Sequence, residues 1–347
     1  MNAGGIVLGQ KLGTPQATGN LNITGGTATL TGDITDGGGS STVNLNGGSL
    51  NMSSHNIGSA TQSIDTLTLA AGTLSNVNQI NNGANVTKST AGTLTVLGTN
   101  TYTGLTTVAA GKLVVGGSLS GNVTVNNGAT VATLHNAVGT IGSLNVNDLA
   151  GGGIVAPGDT GGATDTSTVG QLNVTGNVVL GNASAPTQAH LAMELGGTTP
   201  GSLYDQLKLT GAGSTLNLAK VDLDLSTVNS SVFDPASLTI ATSDNAGGFA
   251  TPGTEFFLVV GSTQPVVGTF QNQGALDVTF SNYHTFFAGG QAFAISYTAN
   301  FNGGVGSTFS GGNDVAIMAI PEPNSLSMLA GSFGLALGLQ RFRRRRK

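Results

Sequence analysis

The sequence predicts an all-β protein: a β-solenoid, then a β-rich cap region, then one short C-terminal membrane helix. Three observations predict it. Charged residues make up only 8% of the 347, while glycine fills 56 positions; ordinary soluble domains carry roughly 25% charge. The phrases "GGSL", "AGTL", "AGTL" and "AGKL" place Gly48, Gly72, Gly92 and Gly111 at a recurring step of roughly 20 residues, a period typical of repeat architectures. Short runs that alternate apolar and polar residues follow these glycines, as half-buried strands require.

Residues 1–190 hold the repeats. A weaker copy, "NGATV", continues the series at Gly128. "TLTVLG", "KLVVGG" and "GNVTVNNGATV" supply alternating strands, the last with Val123, Val125 and Val131. Gly and Asn at the breaks accept the positive φ that turns need. A step of about 20 residues suits one solenoid coil of two or three strands of about 5 residues with tight turns. The inside of such a coil is a narrow column of Val, Leu, Ile and Ala with little room for rings. Tyr102 is the sole aromatic before residue 200. Thr and Asn suit outward ladders of like residues. A β-sandwich is the competing fold, and it places large aromatics in its core.

Residues 191–318 differ in composition. "LYDQLKLTG", "AKVDLDLSTV", "TEFFLVVG", "QAFAISYTANF" and "NDVAIMAI" are strand-like and separated by Gly, Ser and Pro turns. Eleven of the thirteen Phe lie between Phe233 and Phe309, which implies a wider core. This region is expected to cap the solenoid, because a stacked column must hide its open edge.

Residues 319–347 concentrate the positive charge. Pro321-Glu322-Pro323 precedes an apolar stretch from Leu326 to Leu339. As a helix this stretch is about 21 Å long, short against a hydrocarbon core of roughly 30 Å. Flanking residues and snorkelling arginines extend it, so a membrane helix is expected over about 325–340. Every arginine in the chain, Arg341 and Arg343, Arg344, Arg345 and Arg346, follows directly with Lys347. Arginines in that place hold the end in the cytoplasm. The first 340 residues carry five lysines against sixteen acids, a balance that excludes nucleic acid as a partner.

The sequence offers little chemistry. With no cysteine there is no disulfide, thiolate metal site or Cys nucleophile. His55, His135, His190 and His284 lack metal-ligand spacing and read as turn or surface residues. No G-x-S-x-G elbow or Walker loop occurs. Asp222 and Asp224 in "VDLDL" fall on one face of a strand, a candidate cation or acid/base pair; an exposed strand face is the plainer reading. "GGVGSTFSGGND" is a single imperfect copy of a calcium nonapeptide with Asp314 as its acid. Asp159 and Asp165 read as turn residues. No metal, cofactor or enzymatic activity is expected.

Two stretches carry a family resemblance. "GTLTVLGTNTYTGLTTVAAGKLVV" resembles the autotransporter-associated β-strand repeat at Gly98, Asn100, Tyr102, Gly104, Thr106, Thr107, Val108, Gly111 and Leu113. The resemblance implies a right-handed parallel β-helix on an exported passenger. The chain's end is similar to the PEP-CTERM sorting signal at Pro321, Glu322, Pro323, Arg341 and Arg343 to Arg346. That resemblance implies a Gram-negative exported protein, recognised by an exosortase and anchored in the inner membrane through the C-terminal helix. It further implies removal of the tail and delivery to the cell surface or an exopolysaccharide matrix. The start, "MNAGGIVLGQKLG", lacks the basic and apolar parts of a signal peptide, so a missing leader is expected.

The expected function is therefore an exported surface or matrix protein, structural or adhesin-like, that contacts exopolysaccharide or other copies of itself. The alternative is a secreted β-helix carbohydrate-active enzyme using Asp222 and Asp224. An ice-binding face would need T-x-T in every coil, which the sequence does not sustain.

Overall fold

The alternating strands stack as parallel coils. In the computed structural model, which describes residues 1–13, 16–147, 151–158, 169–181, 188–227, 233–303 and 306–322, three sheets form three faces of one column. One coil runs through Thr93–Leu97, Thr99–Asn100 and Thr106–Val108. The next runs through Lys112–Val115, Ser118–Leu119 and Val123–Val125. Each strand pairs in parallel with its counterpart: Leu94 with Leu113, Thr99 with Ser118, Thr106 with Val123.

Alternation decides which side chains enter the column. On the first sheet Leu94, Leu113, Val131, Val155, Leu191 and Leu223 lie in register and are buried. On the third sheet Val108, Val125, Val146, Leu180 and Leu218 do the same. Each such side chain contributes on the order of 1.5–3 kcal/mol by leaving water. The third sheet's outward positions form a second column, Thr87, Thr107, Thr124, Asn145, Val179, Asn217 and Val267. At the corners asparagines bond to asparagines of the next coil: Asn76 to Asn51, Asn78 to Asn56, Asn147 to Asn126.

The glycine repeat marks a corner where backbones touch. A Cβ on Gly72 would collide with the Gly48 carbonyl, and one on Gly111 with the Gly92 carbonyl. In the earlier coils Ser40–Ile57 and Thr66–Ile80 continue as strand around their corners, with register shifts between the straight runs. They pair from Thr42–Thr66 to Ile57–Ile80.

The division expected at 190 and 191 does not coincide with a change of architecture. Ala189–Leu195 spans it, pairing in parallel with Ile154–Ala156 above and Val221–Thr227 below. What changes is coil length. Register partners on the first sheet are further apart in sequence at Ile154 with His190 and His190 with Asp222 than at Lys112 with Thr130. Parallel stacking persists to Glu255–Val260 on the second sheet and Val267–Gly268 on the third. There the second sheet turns antiparallel. Asp314–Ile320 inserts between Glu255–Val260 and Gln291–Ala299, and His284–Ala288 completes the sheet.

The aromatics do gather in this cap. Phe256 lies edge-on to Tyr204 and to Phe293, while Phe249, Phe280, Tyr283 and Phe309 form a second cluster. The narrow coils nonetheless admit one ring, because Tyr102 is fully buried. The strand Asp314–Ile320 carries the cap past its expected limit at 318. Among the described residues no helix is long and apolar enough to cross a membrane. The helix expected over about 325–340, Pro323, Arg341 and Arg343 to Arg346 lie outside the described residues.

Candidate functional site: a cleft at the end of the first sheet

The motif residues of the repeat are placed as architecture. Asn100 is buried at a corner, where its Oδ1 accepts from Val77 N–H at 3.0 Å. Its Nδ2 donates to Leu97 O at 2.9 Å and Ser118 O at 3.1 Å. One amide thus staples three coils. The Tyr102 hydroxyl meets Thr106 Oγ1 at 3.3 Å inside the column, and burial raises its pKa to about 12. Gly98 has φ +65°, and a Cβ on Gly104 would collide with Ala84 O. Thr106 and Leu113 are buried, Thr107 faces outward, and Gly111 has φ +69°.

Asp222 and Asp224 do share one face. They point outward from Val221–Thr227, while Val221 and Leu223 point into the core. Stacking brings a third group that sequence spacing conceals. His190 lies opposite Asp222 in register, and its Nδ1 approaches Asp224 Oδ2 at 2.9 Å. Burial holds the Asp222 carboxyl above the usual carboxylate range; Asp224 adds to the rise and His190 opposes it. Next to this trio opens a cleft of about 550 Å³ between the last coil and the cap. Ala192, Asp224, Leu225 and Ser226 line one wall, Thr285, Phe286 and Phe287 the other. Phe287 is 58% exposed.

Asp314, and likewise Asp33, has structural partners. Asp314 is buried and accepts from Gly261 N–H and Phe301 N–H, both at 2.7 Å. Burial raises its pKa against the pull of those bonds. It thus anchors two loops and does not present a calcium ligand set. Asp33 sits beside His55 at 3.4 Å; its pKa is lowered chiefly by the Asn56 N–H it accepts. Among the described residues no group of three His, Cys, Asp or Glu could hold a metal ion. Asp159 and Asp165 lie outside them.

No protein-family model matches the chain, and no solved structure does. A stretch of 82 residues, 24% of the chain, is 40% identical to an extracellular serine protease of Serratia marcescens. The match covers 7% of that protein's length. So small a share carries a local likeness and no activity.

Sequence reasoning missed His190, Asn272 and Phe287 as parts of one site. His190 and Asp222 are register partners, but the coil between them is far longer than the repeat step of the early coils, so periodicity offered no link. Asn272 and Phe287 come from the antiparallel cap, which no repeat announces.

Proposed function

We propose that this chain is an exported, non-enzymatic surface or matrix protein, structural or adhesin-like, sorted by its C-terminal segment. The observation that carries the reading is the unbroken solenoid with uncharged polar ladders on its outside. Such a column is a rigid spacer that exposes Thr and Asn hydroxyls and amides, groups suited to polysaccharide or to another copy. The local likeness to an extracellular protein supports export. The Pro321-Glu322-Pro323 break, the apolar run and the terminal arginines support recognition by an exosortase at the inner membrane.

The test is fractionation of Gram-negative cells producing the chain with and without residues 321–347. The full chain is expected in the membrane and then at the surface or in the matrix, and the shortened chain elsewhere. Identical distributions of the two would sink the sorting claim.

The trio of His190, Asp222 and Asp224 beside a cleft favours a second reading, a carbohydrate-active enzyme. It requires polysaccharide cleavage that Asp222→Asn and Asp224→Asn both abolish. A chain that cleaves no polysaccharide excludes it.

A further inference from the structure

The cleft lies between two strands whose outer backbone edges are only partly filled by the described residues. Val221–Thr227 is the last strand of the first sheet. In a parallel pair, alternate residues point their N–H and C=O to one neighbour. Ala189 N–H donates to Lys220 O, so Asp222, Asp224 and Ser226 face back toward Ala189–Leu195. Val221, Leu223 and Leu225 face away from it. Val221 O accepts from Gln271 N–H at 2.9 Å. Asn272 clamps Leu223: its Oδ1 accepts from Leu223 N–H at 2.9 Å and its Nδ2 donates to Leu223 O at 3.0 Å. Leu225 has no such partner among the described residues.

The opposite wall repeats the pattern. His284–Ala288 is the last strand of the second sheet. Its hairpin closes at the pair Ala288–Gln291 around Gly289 and Gly290, at φ 56° and 81°. With that closure Thr285 and Phe287 point their backbone groups away from Gln291–Ala299. Thr285 O accepts from Gly274 N–H at 2.8 Å. Phe287, like Leu225, has no partner on its outer edge among the described residues.

The segment Gln271–Gly274 shows what fits between such edges. It bonds to Val221 and Leu223 on one side and to Thr285 on the other. It then leaves the track, where Leu276 pairs antiparallel with His284. The cleft begins where it leaves. Unfilled strand edges are templates for an added strand. On the rim Asp224 is half-exposed and Asp222 lies on the same face of the strand, so the site favours a cation.

We propose that this cleft binds an extended peptide segment bearing a lysine or arginine. The peptide adds as an extended strand between Val221–Thr227 and His284–Ala288. Its backbone bonds Leu225 and Phe287, and its cation meets Asp224. The proposal is independent of export.

The test is hydrogen exchange on the full chain with a short alternating Val/Thr peptide carrying one lysine. Binding is expected to slow exchange at the Leu225 and Phe287 amides. The same peptide N-methylated at alternate amides is expected to lose binding at least about tenfold, the scale of one backbone bond to an otherwise unsatisfied edge. Asp224→Asn is expected to weaken binding about two- to fivefold at low salt, the range of an exposed ion pair. Phe287→Pro removes an N–H that bonds none of the described residues and is expected to abolish binding; if it fails to fold, exchange in the unaltered chain still decides. Unchanged exchange at both amides under saturating peptide would overturn the proposal. So would equal binding of the N-methylated peptide, or a neutral oligosaccharide protecting the cleft where the peptide does not.

Discussion

Asn100 and Tyr102 set the terms at the scale of single residues. Asn100 satisfies three backbone groups from neighbouring turns of chain. Asn100→Ala leaves them buried and unmatched, and a loss of about 3 kcal/mol is expected in chemical denaturation. Tyr102 supplies a pH signature. Its folded pKa, about 12, lies above the ordinary 10. The stabilisation is therefore complete below pH 10 and lost as pH climbs toward 12, about 3 kcal/mol in all. The comparison is with Tyr102→Phe, which keeps the ring and cannot ionise. At pH 7 the unaltered chain is expected to be the more stable by about 1 kcal/mol, through its bond to Thr106. Above pH 11 the order is expected to reverse. The positions of these residues stand out in the sequence, since Tyr102 is the sole aromatic before residue 200 and Asn100 lies two residues before it. Their roles do not, because a polar residue at a turn reads as exposed until the next coil is stacked on it.

At the scale of elements, the short strands are legible wherever alternation is strict. "TLTVL" and "VTV" become Thr93–Leu97 and Val123–Val125 with the expected faces inward, while in Lys112–Val115 Val114 is buried as well. The cap is legible only in composition. Its key strand, Asp314–Ile320, is buried throughout and reads as an apolar run without alternation. Nothing in such a run tells a parallel partner from an antiparallel one. The end of the first sheet is likewise invisible in sequence, since it depends on a single side chain imitating a strand. Asn272→Ala removes both bonds to Leu223. The Leu223 amide is then expected to exchange faster and stability to fall by about 1–2 kcal/mol, with amides of Thr93–Leu97 unaffected. Equal loss of protection in both places would mean that the clamp is not local.

The described residues form one column whose composition changes before its architecture does. Most of the rings gather where antiparallel strands join the second sheet; the boundary expected at 190 tracks coil length and ring content instead of stacking. A solenoid makes a metric claim that other all-β folds do not. Strands far apart in sequence must lie at multiples of about 4.8 Å along the axis. Thr87, Asn217 and Val267 belong to one outward column, and Val267 is six coils from Thr87. The chain has no cysteine, so Thr87→Cys paired with Asn217→Cys or with Val267→Cys gives clean sites for spin labels. The distances expected between backbones are roughly 24 Å and roughly 29 Å, five and six spacings of about 4.8 Å. A separation that fails to grow from the first pair to the second, or that exceeds the six-spacing distance by more than the reach of the labels, would contradict a continuous column from the repeats into the cap.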